Sequence, residues 1–412
     1  MVVVGAGAAG VQSAVALRER GYEGRVTLVG GEPHRPYDRP PLSKAVLRGL
    51  GRPQDVVFDV DFAGLDIELR TGVTALELRA RERQLVTSVG ELPYDRLVIA
   101  TGADAVRVPG DEGAYVLRTL DDAERLREVL EARREVVVIG AGWIGAEFAS
   151  AAREAGCRVT VIEAGSGPLA GVLPGAVTAP MADWYAQAGA ELRTGVRVTG
   201  IEGGDGRARV SLADGSRVRA DAVVVGVGAR PATGWLAGSG IALGARGEVL
   251  ADEWLRASVP GVYAVGDCVS FPSGRFGERL AVHHWDNALQ GARAIAAHVV
   301  ADMTGVAGGQ AAPYDPVPYF WSEQFGRFVQ YAGQHGAGDA VVRRGVPDGD
   351  GGWSVCWLRG DRVTAVLTVD RPRDLAQGKR LITAATAVDP ALVADAAVAL
   401  RAAARTAVGA GS

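Results

Sequence analysis

The feature that most constrains this chain is a unit that occurs twice: an apolar strand, a glycine-rich turn, an alanine-rich helix and a second apolar strand. The first copy reads VVVGAGAAG over residues 2–10, with a helix to residue 20 and a strand over 25–29. The second reads VVVIGAGWIGAE over 136–147, with a helix to residue 155 and a strand over 158–162. This order is the βαβ grammar of a dinucleotide-binding domain, and its duplication sets an α/β architecture. One G-x-G-x-x-G arises by chance in sequence rich in glycine and alanine. Two copies, each between a strand and a helix, are far more specific.

In such a turn the first glycine permits the tight bend and the second lets the backbone approach a pyrophosphate. The third lets helix and strand pack closely, and the helix N-terminus favours the phosphate charge. These are Gly5, Gly7 and Gly10, with Ala8 and Ala9 at the helix start, and Gly140, Gly142 and Gly145. Each unit calls for an acid about 20 residues on, to bind a ribose. In the second unit it is Glu163, directly after VTVI. A carboxylate there bonds the ribose hydroxyls of NADH and repels the extra phosphate of NADPH. No arginine follows it in AGSGPLAG, so NADH is the expected cofactor. In the first unit Gly30 and Gly31 occupy the strand tip, and Glu32 is the expected ribose ligand. An ordinary solvated strand-end acid is the alternative for either glutamate.

At 412 residues the chain is long enough for about two to four domains. Its net charge of -4 argues against a general binder of nucleic acid or anionic membrane. No charge-free run of about 18 apolar residues and no secretory leader is seen, so a cytoplasmic protein without a membrane span is expected. Cys157, Cys268 and Cys356 are too far apart for a Cys-x-x-Cys pair, which fits a reducing compartment. Lysine occurs only at Lys44 and Lys379, and arginine fills the other such positions.

Further strands are expected within 94–103, 220–231 and 261–268, the last delivering an acid at its carboxyl end, the edge where open α/β sheets bind ligands. Beyond the proline-rich stretch 313–318 the character changes. Runs at 328–333, 354–358 and 363–369, followed by an alanine-rich helix near the C-terminus, suggest a separate α+β domain.

The segment PYDRPPLSK (36–44) resembles the flavin-site signature of the oxygenase-coupled NADH-dependent ferredoxin reductases, which include the reductases of aromatic-ring dioxygenases. The resemblance continues through ATGA (100–103), LRTLDDA (117–123), GAGWIGAE (140–147), GDC (266–268), HWDNALQG (284–291), FWSEQ (320–324) and RPRD (371–374). It spans almost the whole chain in order. It implies a glutathione-reductase-like pair of Rossmann-type domains. A discontinuous FAD domain (1–105 and 234–312) would surround an NADH domain (106–233), with a C-terminal α+β domain (313–412).

The same resemblance implies a set of cofactor contacts. They include Arg39, Pro40, Lys44, Val73, Ala100, Thr101, Gly102, Arg118, Gly228, Gly266, Asp267 and Trp285. Asp267 would meet the ribityl or pyrophosphate region at a helix N-terminus. Lys44 would lie near the flavin N5 and pair with Glu147, the cation stabilising negative charge there, with a surface lysine and a helix-surface glutamate as the alternative. Trp143 would lie against the nicotinamide or cover the flavin before it arrives, Ile144 beside it is a further cofactor contact, and Trp321 would pack on the flavin's far side, toward the protein acceptor. Plain core packing is the equal alternative for both tryptophans. The family often has an acid at the position of His283. The pair His283–His284 lacks ligand spacing, so no metal is expected.

Disulfide reductases of this fold keep a cysteine pair beside the flavin, but residues 39–44 contain none. A single-electron protein acceptor is the natural substitute. The implied reaction is hydride transfer from NADH to FAD, then single electrons to a 2Fe–2S ferredoxin. That ferredoxin would serve a haem-thiolate monooxygenase or a ring-hydroxylating dioxygenase. Arg343, Arg344, Arg371, Arg373, Lys379 and Arg380 are candidates to steer an acidic acceptor, with solvated surface as the alternative for each. Rival readings are a rubredoxin reductase or NADH oxidase of the same fold, and a redox-signalling flavoprotein resembling apoptosis-inducing factor.

Overall fold

Buried on both faces, the strand Val2–Val4 lies inside a five-stranded parallel sheet ordered Val262–Ala264, Leu97–Ile99, Val2–Val4, Val26–Val29, Ile67–Arg70. Strands covered on both sides read as continuous apolar runs, which is why VVV, LVI and VYA show no alternation. The helix Ala8–Glu19 follows the first glycine turn and packs against the long helix Trp285–Thr304. These elements belong to the first of two units in the computed structural model, which describes residues 1–203, 206–304, 312–347 and 351–405. The first unit comprises 1–106, 117–127 and 228–316, and the second 107–116, 128–227 and 317–412.

The second unit has its own parallel sheet, ordered Glu191–Arg193, Arg158–Ile162, Glu135–Ile139, Ala222–Val225. The duplication extends further than the βαβ pattern suggested. Each unit carries a three-stranded antiparallel meander between its third and fourth parallel strands, at 75–93 in the first and 198–220 in the second. In each sheet the strand order reverses beside the strand that feeds the glycine turn. That reversal is where doubly wound sheets bind ligands, outside the carboxyl ends of the strands.

The second unit also contains an antiparallel sheet ordered Tyr319–Gln324, Arg327–Gly333, Arg362–Val369, Trp353–Arg359, Ala340–Arg344. Three of these strands match expectation, while Tyr319–Gln324 and Ala340–Arg344 are additional edges. Trp353, Val355, Trp357 and Leu367 of this sheet share one buried cluster with Leu173, Val177, Met181 and Trp184.

The expected alanine-rich helix near the C-terminus is not formed as one element among the described residues: the helix Pro372–Thr383 carries a single alanine, and the alanine-rich stretch after it holds only the short helix Pro390–Ala394 and the 3₁₀ turn Leu400–Ala403. The cause is a buried cation. Arg344, with no exposed surface, donates to the carbonyls of Leu392, Val393, Asp395 and Val398, drawing them away from any helical ladder. Arg344 is therefore unavailable to dock an acceptor, correcting that expectation. Residues 305–311 and 406–412, which the expected domain boundaries include, lie outside the described residues.

Candidate functional site

The two glycine turns are built alike. Gly5 N–H donates to the Val29 carbonyl at 2.7 Å and Gly140 N–H to the Ile162 carbonyl at 2.8 Å, pinning each turn to the tip of the second strand. Gly5 and Gly140 sit at φ +109° and +99°, where a side chain is strained. A Cβ on Gly10 would lie 1.8 Å from the Gly5 oxygen, and one on Gly145 2.1 Å from the Gly140 oxygen. Internal packing thus accounts for the first and third glycines.

It does not account for the second. Gly7 and Gly142 are helix N-caps with extended backbone, at φ -79° and -75°. A Cβ on Gly7 would meet no atom within 4 Å, and one on Gly142 only the Gly226 oxygen at 3.8 Å. Each faces open space at the N-terminus of a 12-residue helix, Ala8–Glu19 or Trp143–Glu154. That space fits a phosphate.

In the first unit, Glu32 is oriented on both sides. One oxygen accepts from the Tyr37 hydroxyl and the other pairs with Arg39 at 2.6 Å. Arg39 also donates to the Arg118 carbonyl, and Tyr37 accepts from Leu120 N–H at 2.9 Å. Asp267 pairs with Arg118 at 3.2 Å. Gly102 stands under the Arg118 guanidinium, and Gly266 lies against Ala9. Ala9, Gly102, Arg118, Gly266 and Asp267 therefore converge. Beside them, Arg118 Nε is buried without a hydrogen-bond partner among the described residues, a polar atom of the kind a bound group satisfies.

Asp267 opens a short 3₁₀ helix and not an α-helix. It lies in the 3₁₀ turn Gly266–Cys268, and the strand Val269–Ser273 follows at once. Gly266 at φ +80° bends the chain there, and VSFPS, with its β-branched and aromatic residues, resumes an extended course.

Trp285 opens its helix and donates to Asp38 at 2.7 Å. Burial raises the Asp38 carboxyl, opposed by that bond, by the Arg39 amide and by the Lys44 charge. Lys44 follows the 3₁₀ turn Pro40–Ser43, its Nζ 3.4 Å from the Pro40 carbonyl. Ala100 and Val73 are buried, and the Val73 amide donates to the Gly30 carbonyl. Gly228, at φ +115°, accepts from the Val106 amide.

Burial lowers the His284 imidazole to about 4, partly opposed by attraction to Asp267, and lowers His283 as well. With its folded value below the unfolded one of about 6.5, folded His284 refuses a proton that the unfolded chain accepts. Its contribution to stability is therefore complete above pH 6.5 and is lost as pH falls toward 4. Urea unfolding across that window is expected to show a slope that His284→Asn flattens; an unchanged slope would refute the assignment. No metal-binding cluster occurs among the described residues.

In the second unit, Glu163 turns back onto the glycine turn. Its carboxylate accepts from Ala141 N–H at 2.8 Å and Gly165 N–H at 2.7 Å. Trp143 meets Phe320 edge-on at 4.6 Å, and Ile144 is exposed on the same helical turn. Glu147 is 3% exposed and accepts from the Ser322 hydroxyl at 2.7 Å. Trp321, on the opposite face of its strand from Ser322, stacks on Tyr319, which also carries the Lys379 ammonium at 5.0 Å.

Ser322 was missed by sequence reasoning, although a small polar residue directly after Phe320 and Trp321 in FWSEQ was a usable signal. A cavity of about 430 Å³ lined by Ser166, Thr178, Asp183 and Thr194 was missed too. Cys268 and Cys356 are pushed up to about 11 and about 12 by burial, so neither is a ready thiolate.

Comparison with known proteins covers nearly the whole chain. The pyridine nucleotide-disulphide oxidoreductase family model matches residues 1–292, and a reductase C-terminal model matches 319–404. Putidaredoxin reductase of Pseudomonas putida is 34% identical, over 97% of this chain and 96% of its own. The ferredoxin reductase component of chlorobenzene dioxygenase from a Cupriavidus species is 36% identical, over 96% and 95%. Among solved structures, a covalent putidaredoxin reductase–putidaredoxin complex matches with a TM-score of 0.90 at 33% identity, covering 97% of this chain and 96% of that one. The glutathione-reductase-like architecture implied by the family resemblance agrees with these matches.

Proposed function

We propose that this chain, which belongs to the pyridine nucleotide-disulphide oxidoreductase family, is an FAD-containing NADH:ferredoxin reductase. It passes single electrons to a 2Fe–2S ferredoxin that supplies a haem-thiolate monooxygenase or a ring-hydroxylating dioxygenase. The observation that carries this reading is the pair of glycine turns whose second glycines face open space, one in each unit. Two dinucleotide sites suit a protein that takes hydride from one carrier onto another. Similarity to reductases of oxygenase systems along nearly the full chain supports the choice of acceptor.

FAD, when bound, supplies the conversion from a two-electron to a one-electron carrier. The chain's own residues bind and orient. In the first site Gly7 leaves room for the pyrophosphate, Glu32 holds the ribose, and Asp267, paired with Arg118, meets the ribityl or pyrophosphate region. In the second, Gly142 admits the NADH pyrophosphate and Glu163 its ribose. Residues 1–105 with 234–312 and residues 106–233 are the proposed FAD and NADH portions, with 313–412 presenting the acceptor face.

Lys44 and Glu147 are the proposed charge pair that stabilises the hydride-accepting end, with Trp143 beside the nicotinamide and Trp321 toward the acceptor. The described cysteines are all buried and unpaired, which favours a protein acceptor over a thiol and a reducing cytoplasm over an oxidising compartment. No helix among the described residues is long and apolar enough to cross a membrane.

The test is anaerobic stopped-flow mixing with NADH or NADPH, then addition of a 2Fe–2S ferredoxin. Rapid bleaching by NADH and fast reoxidation by ferredoxin are expected. Bleaching without ferredoxin turnover would point to another acceptor, and no flavin absorbance after added FAD would end the proposal. Glu163→Ser is expected to cut the preference for NADH over NADPH at least about tenfold, by removing the repulsive element. An unchanged kcat/KM ratio would remove Glu163 from the ribose site.

A further inference from the structure

We infer that Ser322 is a positioning residue for Glu147, and that the C-terminal sheet therefore takes part in the hydride half-reaction as well as in acceptor docking. The inference rests on the proposed role of Glu147. A carboxylate 3% exposed must find donors inside the protein. Those described come from the C-terminal segment: the Ser322 hydroxyl at 2.7 Å and the Glu323 amide at 3.3 Å.

Ser322 is itself 1% exposed and receives the Gln324 side-chain amide at 3.1 Å. A hydroxyl has one proton to donate. With Gln324 occupying a lone pair, that proton is directed at Glu147. One turn along the same helix, Ser150 accepts the Phe325 amide at 2.9 Å, so the strand end is tied to the helix at two places. On the strand Tyr319–Gln324, Phe320, Ser322 and Gln324 form the buried face and Trp321 lies on the other.

Packing alone gives no reason for this arrangement. Three buried polar side chains sit beside the cluster of Phe320, Val329 and Tyr331, where apolar residues of similar volume would avoid their desolvation cost. A fully satisfied polar network does specify one orientation. The orientation specified here is that of the Glu147 carboxylate.

The test compares Ser322→Ala, Ser322→Thr and Glu147→Gln in the full-length, FAD-loaded protein. Ser322→Ala is expected to slow bleaching at saturating NADH about tenfold, with KM within about twofold. It should also displace the pH profile of bleaching and the midpoint potential of the bound flavin in the same direction as Glu147→Gln. Ser322→Thr, which keeps the hydroxyl, should restore all three readouts. Urea unfolding and flavin content monitor the fold in parallel. If Ser322→Ala matches the parent while Glu147→Gln is impaired, the Ser322 inference fails alone. If both match the parent, the reading of Glu147 fails with it. If Ser322→Ala loses flavin and threonine does not rescue it, the role is structural and the inference is overturned.

Discussion

Gly142→Leu is expected to leave the chain folded and to weaken NADH binding at least about a hundredfold, because it builds a clash against the ligand alone. The backbone at Gly142 is extended, which any residue adopts, and a Cβ there meets only the Gly226 oxygen at an ordinary 3.8 Å. Loss of a favourable cap residue costs about 1 kcal/mol. The side chain would then project into the space through which the pyrophosphate must approach the helix N-terminus. Titration calorimetry of the FAD-loaded variant with NADH measures the loss, and urea unfolding measures the fold. Gly145→Ala is the contrast. Its single methyl would lie 2.1 Å from the Gly140 oxygen, so it should damage the turn itself. Parent-like NADH affinity in Gly142→Leu would mean that the dinucleotide lies elsewhere.

Arg344→Met is expected to destabilise the second unit by about 3–5 kcal/mol, the range for removing one partner of a buried ion pair. Arg344 lies 3.3 Å from Asp374, and its remaining donors serve four carbonyls between Leu392 and Val398. Asp374 keeps Ser354 at 2.8 Å and Arg371 at 3.2 Å, but the carbonyls lose their donor. Urea unfolding followed by near-ultraviolet tryptophan signals reads the loss directly, since Trp353 and Trp357 lie in this sheet. Limited proteolysis should open the chain near 390–398 first. The neighbouring exposed Arg343→Met should change stability by no more than about 0.5 kcal/mol. Equal midpoints for the two variants would contradict the assignment of Arg344.

The parallel sheets were legible because strands buried on both faces leave uninterrupted apolar runs, and the turns because glycine placement is dictated over short range. The strand Arg158–Ile162 matches its expected limits for the same reason. The edge strands were harder. Tyr319–Gln324 carries Ser322, Glu323 and Gln324, so its alternation of burial is invisible in an apolar pattern. The alanine-rich tail misled in the opposite direction, since helix propensity is a weak prior that a buried guanidinium overrides.

Local chemistry alone thus determined that this chain builds two glycine turns with an acid after each second strand. Those signals act across a few residues and survive in any fold that accommodates them. What only the tertiary structure decided is which polar groups become partners across long sequence separations. Glu147 meets Ser322 175 residues away, and Arg118 meets Asp267 149 residues away. Arg344, one arginine among many in sequence, becomes a buried clamp. Burial and hydrogen-bond partnership belong to the packed neighbourhood of a group, and no short window of sequence contains that neighbourhood.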